Sequence, residues 1–351
     1  MPRPKLIWTL FACLAQAGAM QAYGQASFRR TIGTQPFPQQ FAQVMRQADG
    51  SLTGGGYYTT NVFINYPLLS SITPQGTQRW TLRFGPGSSP RAQLGEVTAL
   101  AHAASGDILA AGFINTNKNA DIQYPYEDAF VARISPNGDV QWLFTYNRNK
   151  GSCIRENLFR PAHIAEMPGG DIIVAADMQD CSEQLQYLVL LRLDANGGVT
   201  WTSSYRYPLG LSVRSGMTVD GRGIACWTGR VLPGPGSRYV LEQLRFDPAS
   251  GSLSAQKSWE IDPQLSDPAM TIGGQLLRSR QLRNGHTLVL GSTRSAYQPD
   301  AGTSPVFSVL EFNAQDQFVR GYHIGPSVAD AGTLMLNITA DEQGLVLFNR
   351  M

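Results

Sequence analysis

Apolar residues along most of this chain recur at every second position in short runs, and clusters of Gly, Pro, Asn, Asp and Ser separate the runs. Period-two alternation is the mark of a half-buried β-strand, whose side chains point alternately to two faces. Phe130-Val131-Ala132-Arg133-Ile134, Leu188-Val189-Leu190-Leu191-Arg192-Leu193, Val240-Leu241-Glu242-Gln243-Leu244 and Val306-Phe307-Ser308-Val309-Leu310 follow it. More continuous apolar runs, Ile108-Leu109-Ala110-Ala111-Gly112, Ile172-Ile173-Val174-Ala175-Ala176 and Leu288-Val289-Leu290-Gly291, read as strands covered on both sides.

The turns between these runs repeat. Ala48-Asp49-Gly50, Ala104-Ser105-Gly106, Pro168-Gly169-Gly170, Val219-Asp220-Gly221 and Arg283-Asn284-Gly285 each link a first strand to a second, and their last glycines are 56, 64, 51 and 64 residues apart. Glycine tolerates the positive φ that such hairpins require. A second set, Thr73-Pro74-Gln75-Gly76, Ser135-Pro136-Asn137-Gly138 and Asp194-Ala195-Asn196-Gly197, links a third strand to a fourth. Trp80, Trp142 and Trp201 stand four residues after these glycines, and Phe84, Tyr146 and Tyr205 four further on. The fourth unit has a longer turn, Asp247-Pro248-Ala249-Ser250-Gly251, followed by Trp259, and is counted with the other three as a repeat tryptophan. The fifth puts Arg320 at the tryptophan position.

A four-strand unit recurring every ~60 residues buries its faces by stacking on its neighbours, which predicts an all-β protein, a β-propeller of four-stranded antiparallel blades. The tryptophans are expected to fill the gaps between blades. Residues 333–351 supply only a first and a second strand, through Leu334-Met335-Leu336-Asn337-Ile338 and Leu345-Val346-Leu347-Phe348, and Phe28-Arg29-Arg30-Thr31-Ile32-Gly33 has the spacing of a fourth. The expectation is therefore six blades, the last shared between the two termini and lacking a third strand; closure of this kind removes exposed sheet edges.

The runs Gly106–Gly112 and Asp128–Trp142 resemble the repeats of secreted bacterial β-propeller proteins of the Bacteroidota type. The Gly-x-x-x-Trp element is also similar to the tryptophan-docking repeat of pyrroloquinoline quinone enzymes. Both resemblances imply an architecture. The quinone enzymes need cofactor and metal ligands from several blades, and no such set is legible, so no cofactor is expected.

Composition narrows the setting. A formal net charge of +2 over 351 residues argues against a nucleic-acid partner. Arg3 and Lys5, the apolar stretch Leu6–Ala19 and the small residues Gly24-Gln25-Ala26 form an export signal, which places a signal peptide at 1–26 and the propeller at 27–351. Secretion or a periplasmic location follows; a lipoprotein anchored through Cys13 is the weaker alternative, because Phe11 is bulky for a lipobox. No later stretch approaches the ~20 apolar residues of a membrane helix. Of four cysteines, removal of Cys13 leaves three. Cys153 and Cys181 fall in a link and a loop on one face and are expected to pair in an oxidising compartment, whereas Cys226 lies in a strand as a buried thiol.

Candidate chemistry is sparse. The tight turns share one face, and the long second-to-third loops and interblade links share the other, where function concentrates. Phe113, Tyr124, Tyr126 and Tyr297 are the candidate contacts there. His102, His163, His286 and His323 show no metal-ligand spacing, and no Gly-x-Ser-x-Gly elbow occurs. Asp121, Glu127 and Asp128 gather in one long loop, and Asp177, Asp180 and Glu183 in the next; they read as solvated loops. The resulting expectation is a monomeric, non-catalytic binding or scaffold module that touches a glycan or an envelope protein. The alternatives are an enzyme acting on extracellular polysaccharide, hydrolase or lyase, through a carboxylate pair, and a structural surface protein.

Overall fold

The computed structural model describes residues 39–61, 64–84, 95–115, 127–146, 158–180, 185–206, 216–232, 238–260, 278–282, 284–292, 307–324, 337–341 and 344–348. The chain divides into two compact units, Met1–Gln35 and Pro36–Met351, and every described residue belongs to the second. The expected signal peptide, Cys13 and the expected strand at Phe28–Gly33 lie outside the described residues.

Every regular element among them is a strand. Blade one holds β1 (Gln39–Arg46), β2 (Leu52–Asn61), β3 (Ile64–Ile72) and β4 (Gln78–Arg83). Blade two holds β5 (Gly95–His102), β6 (Ile108–Asn115), β7 (Glu127–Ile134) and β8 (Val140–Tyr146). Blade three holds β9 (Leu158–Glu166), β10 (Ile172–Asp180), β11 (Leu185–Leu193) and β12 (Val199–Arg206). Blade four holds β13 (Gly216–Asp220), β14 (Gly223–Leu232), β15 (Arg238–Phe246) and β16 (Leu253–Glu260). Blade five holds β17 (Arg278–Gln281), β18 (Thr287–Ser292), β19 (Phe307–Phe312) and β20 (Phe318–Ile324), and the hairpin β21 (Asn337–Asp341) with β22 (Gly344–Phe348) follows.

Each blade is an antiparallel meander in chain order, and a single parallel pair, Glu127 with Leu158, joins the second blade to the third. The first strands form the inner layer: β1 lies against β5, β5 against β9, β9 against β13, β13 against β17, and β21 against both β17 and β1. The architecture is thus five four-stranded antiparallel blades and a two-stranded hairpin among the described residues. The expected sixth blade of more than two strands is not described. Of its expected first strand, Asn337 and Ile338 lie in β21, and Leu334, Met335 and Leu336 lie outside the described residues.

The core is divided by seam. Met45 and Leu69 of blade one pack on Val97, Ile108 and Phe130 of blade two, and Leu109 and Val131 of blade two pack on Ile164, Val174 and Leu191 of blade three. Ile173 and Leu190 of blade three meet Ile224 and Phe246 of blade four, and Trp227 and Leu241 of blade four meet Val289 and Phe312 of blade five. Each fully buried side chain of this size contributes about 1.5–3 kcal/mol, so these seams carry the stacking that no blade could supply alone.

Tryptophans close three of the seams. The indole N–H of Trp80 donates to the Pro136 carbonyl at 3.0 Å, that of Trp142 to Ala195 at 3.2 Å, and that of Trp201 to Pro248 at 3.1 Å. Each acceptor lies in the third-to-fourth turn of the next blade. The glycines of those turns have φ between 70° and 93°, and a Cβ on Gly138 or Gly251 would come within 2.7 Å of the docked indole. Glycine is therefore required twice over, by the turn and by the ring.

Trp259 departs from this scheme. Trp80 pairs in register with Ser71, Trp142 with Arg133 and Trp201 with Arg192; the matching pair in blade four is Arg245 with Ala255. Trp259 instead pairs with Leu241, as Tyr205 pairs with Leu188, so it holds the second aromatic position and stacks on Trp227 at 5.5 Å. Trp259 stands eight residues after Gly251, as Tyr205 stands eight after Gly197, and Ala255 stands at the place four residues on.

Candidate functional site

The inner strands start at the end of the blades where the long loops emerge. Bulges at Ala42, Thr98 and Ala162 interrupt β1, β5 and β9 eight residues before their turn glycines. A bulge re-aims a side chain. Here Thr98 donates its hydroxyl to the carbonyls of Ala111 and Pro161, which ties the inner strand of blade two to that of blade three.

Beside this tie stands a group of charged residues. Glu96 pairs in register with Phe113, and Asp177 with Arg160. The Arg160 guanidinium lies 4.8 Å from the centroid of the Phe113 ring. Asp128, one position before the partner of Phe113 on β7, is 4% exposed. Three carboxylates and one guanidinium thus belong to the loop-proximal ends of two adjacent blades. Carboxylates can donate or accept a proton at a reacting oxygen, and arginine can hold an anionic or hydroxylated ligand in a fixed geometry.

Blade one adds an aromatic pair at the same end. Tyr58 and Tyr66 stack at 5.2 Å, with Arg83 4.9 Å above the Tyr58 ring. Burial, partly offset by Arg83, pushes the Tyr58 hydroxyl above its usual value.

Of the candidate contacts, Phe113 is 8% exposed and packs as a wall residue under Arg160, so it does not offer its ring to solvent. Tyr124, Tyr126 and Tyr297 lie outside the described residues, as do Cys153 and Cys181. Cys226 is a free, buried thiol. Among the described residues no three His, Cys, Asp or Glu come together closely enough to hold a metal ion. Glu96 and Arg160 belong to no motif. Arg160 of blade three reaches Phe113, the register partner of Glu96, only because blade three stacks on blade two.

The opposite end is structural. Arg133 holds Asp107 at 2.9 Å and reaches Glu166 of the next blade at 3.5 Å, and Arg192 bonds both Asp171 and the Pro248 carbonyl at 2.7 Å. His102 meets the Arg46 carbonyl at 2.8 Å; desolvation and then the charge of Arg280 lower its pKa. His286 is tied to Glu311 at 2.7 Å. These groups are committed to the turns.

No family model matches the chain, and no curated protein matches it. Solved structures do. A NanB sialidase from Streptococcus pneumoniae superposes with a TM-score of 0.59 at 11% identity, over 93% of this chain and 68% of that one. A second structure of that sialidase gives 0.58 at 10% identity, over 91% and 67%. An exo-β-1,3-galactanase from Clostridium thermocellum gives 0.49 at 11% identity, over 87% and 71%. The fold is a β-propeller. The likeness to secreted Bacteroidota propellers stands for this architecture alone. The expectation of a non-catalytic binding or scaffold module is corrected by the two sialidase structures, which are of an enzyme.

Proposed function

We propose that this protein is a carbohydrate-active enzyme that cleaves glycosidic bonds in an extracellular polysaccharide, at the loop-proximal ends of blades two and three. The observation that carries the reading is the match to a sialidase fold over 93% of the chain. The residues support it. Glycoside cleavage uses one carboxyl group to protonate the leaving oxygen and a second to activate water or attack the sugar. Glu96, Asp128 and Asp177 are the candidate pair-formers, and Arg160 is the candidate anchor for the sugar. A lyase would instead remove a proton from a uronic acid and leave an unsaturated, ultraviolet-absorbing product.

The test is a screen of purified mature chain against fluorogenic glycosides and bacterial polysaccharides, with Glu96→Gln, Asp128→Asn and Asp177→Asn beside it. The reading expects reducing sugar to appear with the parent and to fall by about 100-fold or more in at least two variants. Turnover that survives all three substitutions moves the site elsewhere. The absence of turnover on every substrate sinks the proposal.

Three finer features belong to the same proposal. The β21–β22 hairpin is the inner half of a sixth blade; Leu68, on the face of blade one away from Leu69 and blade two, is fully buried, which supports a cover on that side. The first 26 residues are a signal peptide, so the monomer works outside the cytoplasm, and N-terminal sequencing of secreted protein should begin at or near Ser27. Cys153 and Cys181 are bridged, which a non-reduced peptide digest should reveal.

A further inference from the structure

Three seams in this propeller are built alike and the fourth is not. Between blades one and two, two and three, and three and four, a tryptophan lies over the positive-φ glycine of the next turn and donates to a carbonyl of that turn. Between blades four and five both partners are exchanged. Ala255 stands at the tryptophan position by register, and Asp316 stands at the glycine position. Asp316 keeps the turn geometry, with φ 59° and its N–H donating to the Asn313 carbonyl at 2.9 Å, as Gly138 donates to Ser135. It is the one non-glycine residue with positive φ among the described residues.

The Asp316 carboxylate fills the space an indole takes elsewhere, and blade four surrounds it with donors. Arg222 bonds it through both terminal nitrogens at 2.8 and 2.9 Å. Arg245 reaches it at 3.1 Å and Gln243 at 3.1 Å. The Lys257 ammonium stands 3.6 Å away and donates to the Gln315 carbonyl at 3.3 Å. Asp220 of blade four balances both guanidinium groups, each at 3.0 Å. The Asp316 side chain is only 2% exposed.

We infer that Asp316 and its cation cluster form a keyed joint, which makes blade five dock on blade four and on no other blade. Repeat proteins misassemble because their interfaces are alike, and discrimination requires a penalty on the wrong partner as well as a gain on the right one. Both penalties are present. A tryptophan from blades one to three, offered to the turn of blade five, meets a carboxylate where glycine would leave room. The cations of blade four, offered to a glycine turn, find no carboxylate. A buried polar contact that fixes register is the best-attested use of such ionic groups.

Refolding of the full mature chain tests the joint. Asp316→Gly removes the group that rejects an indole, and Ala255→Trp with Asp316→Gly makes all four seams alike. Parent and variants are denatured in urea, diluted at several protein concentrations and separated by size. The inference expects the yield of native monomer from both variants to fall by about half or more, and more steeply with concentration, with dimers and larger species in its place. Asp316→Asn, which keeps a residue tolerant of positive φ and the bulk that excludes an indole, should lose stability yet refold to monomer like the parent. Equal monomer yield for the parent and both glycine variants would overturn the inference. Failure of both glycine variants to fold even on expression would also overturn it, since the cluster would then hold the fold up without choosing a partner.

Discussion

The indole of Trp142 in blade two donates to the carbonyl of Ala195, 53 residues further along and in the turn of blade three, at 3.2 Å. Arg133 of the same blade points a terminal nitrogen at that carbonyl from 3.5 Å. Trp142→Phe keeps the packing and loses the hydrogen bond, which should cost about 1 kcal/mol. Trp142→Ala also loses the ring and should cost about 3 kcal/mol, at the low end for tryptophan because the ring is only half-buried. Urea denaturation measures both, and hydrogen exchange should place the added opening in blades two and three, because stacked repeats couple to nearest neighbours.

Two glycines separate backbone strain from steric docking. Gly106 and Gly138 have φ of 88° and 93°, but a Cβ on Gly106 would meet nothing within 4 Å, whereas one on Gly138 would lie 2.7 Å from Trp80. Gly106→Ala should cost about 1–2 kcal/mol, the penalty of a left-handed L-residue. Gly138→Ala should cost measurably more and should redshift tryptophan emission as Trp80 is displaced. Equal costs would show that Trp80 moves aside freely.

Acid should weaken the joint of blades four and five. Burial works to raise the Asp316 pKa, but hydrogen bonds from Arg222, Arg245 and Gln243 outweigh it and hold the carboxyl below its ordinary 3.8. A carboxylate with a lowered folded pKa stabilises the fold at neutral pH and loses that contribution as pH falls through the folded value. Asp316→Asn should therefore cost about 2–3 kcal/mol at pH 7, less than a fully enclosed pair because Arg222 is partly exposed. The gap between parent and variant should close below pH 3.8, as denaturation curves across that range would show.

Much of the fold was legible because a few residues have little freedom of placement. A positive-φ turn favours glycine, so the hairpins could be read from Gly50, Gly106, Gly138 and Gly197. A ring over that glycine placed Trp80, Trp142 and Trp201. Trp259 was legible too: it stands eight residues after Gly251, where Tyr205 stands relative to Gly197, and Ala255 holds the place four residues on, so the count from the turn glycine agrees with the register. The candidate site was less legible. Phe113 and Arg160 are distant in sequence and carry no spacing signal; they meet where β6 of blade two lies against β9 of blade three. Phe113 looked like a loop contact and lies buried near the end of β6, under Arg160.

Cys226 should be chemically silent in the native protein. Burial, and then the charge of Asp177, push its thiol well above the usual range, so almost no thiolate is present at neutral pH. Iodoacetamide followed by peptide mass spectrometry should find Cys226 unmodified until urea unfolds the chain. Modification under native conditions would mean that the interface of blades three and four, where Cys226 packs, opens far more often than a fully buried seam allows.

The exchange of Gly and Trp for Asp316 and Ala255 also bears on how such a chain can change its copy number. A blade duplicated or lost between the first and the fourth presents the same tryptophan ahead and the same glycine behind, so the break heals with parts already present. The same accident at the boundary of blades four and five leaves a carboxylate facing an indole, or three cations facing a glycine. Lengthening or shortening of this protein by whole blades is thus open along one arc and barred at one boundary, and that boundary is where a blade count, once reached, is held.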